Sequence, residues 1–155
     1  MIRDIFVMDA DGKNRVQLTD HPAQDGEPRW SPDGKTIAFY SYDRSDPPGF
    51  NLYLMDPDGS NIRQLTFGPH WEVAPSWFPD GKWILYSSGE TGDGVDLFRG
   101  GAWNIYRIHV ETKEVVQVTH GDPGGLGQEW VLSGGSGRFP LGFIPWGRLK
   151  AGDSD

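Results

Sequence analysis

Apolar residues in this chain fall in short runs, and turn signals separate them. KTIAFYS (35–41) and KWILYSS (82–88) are β-branched and aromatic, while DIFVMD (4–9) and NLYLMD (51–56) alternate or run apolar. Between these runs stand DADGKN, DPDGSN, SPDGK and FPDGK, which place Asp-Gly or Pro-Asp-Gly where a hairpin reverses. Helix-period segments are absent, and no run approaches the roughly 18 apolar residues of a membrane span. The pattern predicts an all-β chain of short antiparallel strands.

The pattern also repeats. Shifted by 47 positions, residues 4–41 align with 51–88 without a gap, and 17 of the 38 pairs are identical. Met8, Asp9, Asp11, Gly12, Asn14, Gln17, Leu18 and Thr19 recur as Met55, Asp56, Asp58, Gly59, Asn61, Gln64, Leu65 and Thr66. Trp30, Pro32, Asp33, Gly34 and Lys35 recur as Trp77, Pro79, Asp80, Gly81 and Lys82. A third copy begins at an offset of 53, where NIYRIHVETKEVVQVT (104–119) follows NLYLMDPDGSNIRQLT (51–66), and then decays, with VLSGG after Trp130 in place of FPDGK.

Each copy reads as four strands: A around Trp30 and Trp77, B at 36–42 and 83–88, C at 51–56 and 104–109, D at 62–66 and 115–119. A four-stranded meander at a period of 40 to 50 residues predicts β-propeller blades. The expected organisation is propeller repeats over 1–130 and an irregular tail over 131–155. Within the repeats lie a half blade (4–19), two blades (28–66 and 75–119) and the start of another (128–132). In the WSPDGK motif, turn chemistry accounts for every residue: Pro sets φ, Gly supplies φ > 0, and the Trp is expected to anchor strand A against the next blade.

The pattern P-x-W-S-P-D-G-K-x-I-A-F-x-S, followed by N-[IL]-Y-x-M-D-x-D-G-[SK]-N-x-x-Q-L-T, resembles the repeat of TolB-type, WD-repeat-like β-propellers. The resemblance covers residues 4 to about 130. It implies a six-bladed ring without enzymatic activity that docks other proteins in the cell envelope, and a periplasmic location. MIRDIFVMDADG lacks the basic and then apolar regions of an export signal, which points instead to the cytoplasm or a truncated reading frame.

Composition narrows the partners. Residues 36% hydrophobic and 13% aromatic can build a core, and 22 glycines with 12 prolines, spread between apolar runs, fit many tight turns. A formal charge of -8 with 14 Lys and Arg disfavours nucleic acid and anionic membrane, which need a cationic face. With no cysteine, neither a disulfide nor a thiolate metal site is available.

Strand alternation sorts the loops onto two rims. Asp-Gly hairpins occupy one; the other carries 20–27, 42–50, 67–74, 89–103 and 120–129, and is the expected functional face. Trp71, Phe98 and Trp103, with Arg44, Arg99 and Glu72, are its candidates for contact with a protein or peptide, against the alternative of packing under long loops. His21, His70 and His120 fall in the three D to A connections near Asp25, Glu72 and Asp122, where a ring of His and carboxylate could hold a divalent cation. Their unequal distances from the preceding Thr argue that the connections simply favour polar residues. Asp9-x-Asp11-Gly12-x-Asn14 starts like a calcium loop but lacks the later acidic ligands, so a hairpin turn is the better reading.

No G-x-S-x-G elbow occurs, so nucleophilic catalysis has little support. The expected function is therefore a non-enzymatic binding module without a cofactor. The enzymatic alternative is similarity to oligogalacturonate lyases, whose propellers contain such repeats and use a His-bound metal; it would rest on His21, His70 and His120. A further alternative is a fragment of a larger propeller. Because about three blades cannot close a ring that needs four to eight, a homodimer closed by two hybrid blades is expected.

Overall fold

The computed structural model describes residues 3–42, 44, 49–68, 70–89 and 103–120. Ten strands form in them, and no helix: β1 (Phe6–Val7), β2 (Val16–Gln17), β3 (Gln24–Trp30), β4 (Ile37–Tyr42), β5 (Phe50–Met55), β6 (Arg63–Gln64), β7 (Trp71–Trp77), β8 (Trp83–Gly89), β9 (Trp103–His109) and β10 (Val115–Gln117). The expected all-β class holds. Strands β3 to β6 and β7 to β10 are two antiparallel four-stranded meanders, and β1–β2 is a separate hairpin equivalent to the last two strands of a meander. The strand expected near Trp130 and the 131–155 tail lie outside the described residues.

Side-chain alternation gives each blade two faces. Ile37, Phe39, Tyr53 and Met55 pack against Ile5 and Leu18 of the β1–β2 hairpin. Ala38, Tyr40, Leu52 and Leu54, from the same strands, meet Ile84, Tyr86 and Ile108 of the next blade. The first complete blade is thus apolar on both sides and is clamped between its neighbours. Burial of several such side chains, each worth about 1.5–3 kcal/mol, stabilises the stack.

Both first strands start earlier than the sequence pattern suggests, at Gln24 and Trp71. The extension is a bulge. Register shifts between Gly26 and Arg29, and again 47 residues on between Val73 and Ser76, with Glu27 and Ala74 at φ 50 and 55. The bulge absorbs an extra residue, so a polar segment that reads as loop enters the sheet. Each of these strands then makes one parallel bridge to the preceding repeat, Gln24 to Arg3 and Trp71 to Phe50.

The turns follow the sequence closely. Gly12 and Gly59 lie at φ 83 and 85, donate to the carbonyls of Asp9 and Asp56, and let the Asn14 and Asn61 amides bond the Asp9 and Asp56 carboxylates at 2.6 and 2.7 Å. Those carboxylates hold turns. In WSPDGK, the Ser31 hydroxyl donates to Asp33 at 2.6 Å and accepts from the Thr36 N–H at 3.0 Å. The Ser31 hydroxyl and then the Lys35 N–H hold the Asp33 carboxyl below its ordinary pKa.

The two motif tryptophans diverge. Trp77 packs against the interblade core, and its indole N–H donates to the Arg29 carbonyl at 3.1 Å. Trp30, expected to anchor in the same way, is 48% exposed. Trp77 has a first strand of the preceding blade to lean on. Before Trp30 the described residues supply only the outer hairpin β1–β2.

Candidate functional site

A latch seen three times positions the irregular rim. The Thr19, Thr66 and Thr119 hydroxyls accept the N–H of Ile5, Leu52 and Ile105 at 3.0, 2.9 and 2.9 Å. The Gln17, Gln64 and Gln117 amides donate to the carbonyls of those threonines at 2.9, 2.8 and 2.9 Å. The recurrent Q-[LV]-T therefore pins the end of each last strand to the start of the third. The connection that follows is delivered to the same rim each time.

Next to the first latch is a buried ionic cradle. Asp25, opposite Ser41 in register, accepts the Ser41 hydroxyl at 2.5 Å and the Arg44 guanidinium at 2.7 Å, while Arg44 Nε donates to Ser41 Oγ at 3.2 Å. The Asp25 side chain is wholly buried and that of Arg44 is 14% exposed. Phe39 and Tyr53 stack beneath, with centroids 5.8 Å apart at 28°, and the guanidinium carbon lies 5.9 Å from the Tyr53 ring. Arg44, expected as a partner contact, is thus engaged with Asp25.

Forty-seven residues on, the cradle recurs without an arginine among the described residues. Glu72 stands opposite Ser88, and Tyr86 and Tyr106 stack with the same 5.8 Å and 28° as Phe39 and Tyr53. Glu72 is 6% exposed, and its Oε2 has no hydrogen-bond partner. Burial pushes its pKa from 4.5 up to about 7, against the smaller opposing pull of a hydrogen bond with the Thr66 side chain. Burial, and then the charges of Glu72 and Tyr106, raise the Tyr86 phenol as well. Glu72 opens on a cleft of about 450 Å³ whose lining includes Thr66, Phe67, His70, Tyr86, Ser88, Asn104 and Tyr106.

Trp71 and Trp103 are each packed against neighbouring groups. Trp71 packs edge-on to Phe50 at 5.3 Å, and Phe50 in turn meets Tyr42 at 4.7 Å, so the rim is tied together by aromatic contacts. Trp103 lies over Gly89, where a Cβ would come within 2.8 Å of the indole. Phe98 and Arg99 lie outside the described residues. His70 borders the cleft, His120 is exposed, and His21 Nδ1 accepts the Ala23 N–H at 3.1 Å. Among the described residues, no three His, Asp or Glu side chains are placed to share a metal ion. Sequence reasoning missed Thr66, Ser88, Tyr86 and Tyr106 as a group. The signal was present: Asp25, Ser41 and Phe39 share the 47-residue offset with Glu72, Ser88 and Tyr86.

Two four-stranded meanders preceded by half of another, packed face to face and each linked by one parallel bridge from its first strand to the preceding repeat, define a β-propeller architecture. Residues 2–95 match the TolB beta propeller domain family, and the chain belongs to it. Among solved structures, TolB from Acinetobacter baumannii is 26% identical with a TM-score of 0.59, over 75% of this chain and 26% of that one. A putative TolB from Agrobacterium tumefaciens is 25% identical with a TM-score of 0.64, over 75% of this chain and 42% of that one. An acylaminoacyl peptidase from Pyrococcus horikoshii shares the fold at 22% identity and a TM-score of 0.52, over 74% of this chain and 20% of the peptidase. The chain spans less than half the length of each. No curated protein matches the sequence.

Proposed function

We propose that this TolB-like propeller segment is a non-enzymatic docking module for a protein or peptide, which meets the rim built from residues 20–27, 42–50, 67–74 and 89–103. One observation carries the reading: Phe67 is 70% exposed at the lip of the Glu72 cleft, close in sequence to Trp71, whose ring Phe50 holds in place. An exposed aromatic beside a rigid one, over a concave surface, suits a contact hot spot. Random-peptide display on the whole chain tests it. Selected peptides should lose at least tenfold in affinity on Trp71→Ala or Phe67→Ala, with folding verified by circular dichroism. Peptides bound equally by both variants would refute the assignment. The compartment implied by TolB resemblance, the periplasm, is part of this proposal.

Ring closure in this reading comes from a second copy. The β1–β2 hairpin corresponds to the outer half of a blade, and Trp30 is 48% exposed. If each chain supplies the inner strands missing from the other, two copies make six blades with two-fold symmetry. Light scattering should then give twice the chain mass of 17.3 kDa, and deletion of residues 1–19 should abolish the dimer. A well-folded monomer of 17.3 kDa at micromolar concentration would exclude this closure.

A further inference from the structure

The two cradles correspond group for group. Asp25, Ser41, Phe39, Tyr53 and Thr19 in one blade stand where Glu72, Ser88, Tyr86, Tyr106 and Thr66 stand in the next. The aromatic pairs under them have the same spacing and tilt. In the first cradle the carboxylate and the serine both bond one guanidinium, from Arg44. The 47-residue correspondence ends at Ser41 and Ser88, and among the described residues no guanidinium follows it at the second cradle. In the second, a carboxylate oxygen nine-tenths buried has no partner among the described residues, and it borders a cleft.

We propose that the Glu72 cleft is a receptor for one arginine side chain, presented by the docking partner. The inference rests on the docking reading and deepens it, because it names what the partner must carry. Several features favour a guanidinium over other cations. The planar fork can meet Glu72 and Ser88 together, as Arg44 meets Asp25 and Ser41, whereas an ammonium makes a point contact. The stacked Tyr86 and Tyr106 offer a π face to a weakly hydrated cation. A metal ion is a poorer match, since among the described residues Glu72 is the single carboxylate lining the cleft.

The groups around Glu72 set the pH dependence. His70 comes from its own connection, Thr66 from the preceding blade, Tyr86 from β8, and Asn104 and Tyr106 from β9. Lys113 borders the cleft from the β9–β10 turn, at the opposite rim, where burial and then repulsion from Arg63 lower its pKa. A bound guanidinium requires the carboxylate form, so binding strengthens as pH rises through about 7.

The test titrates the whole chain with N-acetyl-argininamide, N-acetyl-lysinamide and the uncharged N-acetyl-citrullinamide, followed by NMR shifts. The arginine probe should bind at pH 8, at least tenfold more weakly at pH 5.5, and not at all to Glu72→Gln. Citrulline should not bind, and lysine should bind several-fold more weakly than arginine. Equal binding of arginine and citrulline, or undiminished binding to Glu72→Gln, would overturn the proposal. So would arginine binding that appears only in Arg99→Ala, because the chain would then satisfy the cradle itself. A thermal melt at pH 5.5 checks that Glu72→Gln is folded. Display-selected peptides that lack arginine yet depend on Phe67 and Trp71 would sink this proposal while leaving the docking module standing.

Discussion

Asp25 and Glu72 occupy the same place in successive blades, yet among the described residues one is paired with a cation and the other is not. Around Asp25 the repeat supplies a serine, a stacked aromatic pair and a guanidinium at 2.7 Å. Around Glu72 it supplies the serine opposite in register and the aromatic pair, but among the described residues no cation pairs with it. A buried ion pair with its hydrogen bonds satisfied is tolerated; a buried carboxylate without a counter-ion takes up a proton instead. A repeat therefore copies a site's scaffold more faithfully than its occupant. In the proposed reading, the copy that lacks a guanidinium is the one that takes a partner's.

The comparison breaks most sharply at Arg44. Removing it strands a fully buried carboxylate, so Arg44→Met should destabilise the fold by about 3–5 kcal/mol at pH 7, read from urea denaturation. A cost under about 1 kcal/mol would show that Asp25 is held by Ser41 alone and that the two cradles are alike in energy.

At Glu72 the sign reverses. Its carboxyl keeps a proton to higher pH in the fold, about 7, than in the unfolded chain, near the ordinary 4.5. Ionisation therefore opposes folding: stability falls as pH rises between those two values and levels off above 7. Glu72→Gln removes this loss and should stabilise the protein by up to about 3 kcal/mol at pH 8, with little change at pH 4. Denaturation midpoints at the two pH values give the answer. A variant less stable than the parent at pH 8 would mean that Glu72 is paired after all.

Much of this was legible from residue order, and the limits have physical causes. The Asp-Gly turns, the meanders and the two rims were readable because turn chemistry and strand alternation are local. The bulged starts at Gln24 and Trp71 were not: a residue such as Glu27 at φ 50 is unusual for its type, and nothing beside it announces the strand. Trp30 and Trp77 have the same sequence context and different exposure, because the difference lies in a neighbouring blade. Arg44 and Glu72 were singled out as rim residues of suitable chemistry. That one was engaged and the other unpaired depended on burial, which residue order conveys only through the repeat offset.

Smaller effects are expected at the latches. Thr66→Val leaves the buried Leu52 N–H without an acceptor and should cost about 2 kcal/mol, against about 1 for Thr119→Val at the less buried Ile105 N–H. The two should also separate with pH. Thr66 hydrogen-bonds Glu72 and is what holds its pKa down, so its loss steepens the fall in stability towards pH 8, whereas Thr119→Val should be indifferent to pH. Parallel pH profiles for the two variants would show that the Thr66 hydroxyl does not reach Glu72.

The smallest difference asks whether the face before Trp30 is bare. Trp77→Phe removes the hydrogen bond to Arg29 and should cost about 1–2 kcal/mol. Trp30→Phe alters a side chain 48% exposed within one chain and should stay within about 0.5 kcal/mol if nothing covers it. A second copy seated there changes the arithmetic: its first strand would give the Trp30 indole the carbonyl that Arg29 gives Trp77. The Trp30→Phe cost would then rise towards that of Trp77→Phe, and it would depend on protein concentration, since subunit association and folding are linked. Measured at two concentrations a hundredfold apart, a cost that stays small and constant would contradict closure at this face. A cost that is large at the higher concentration and shrinks with dilution would place the partner strand against Trp30.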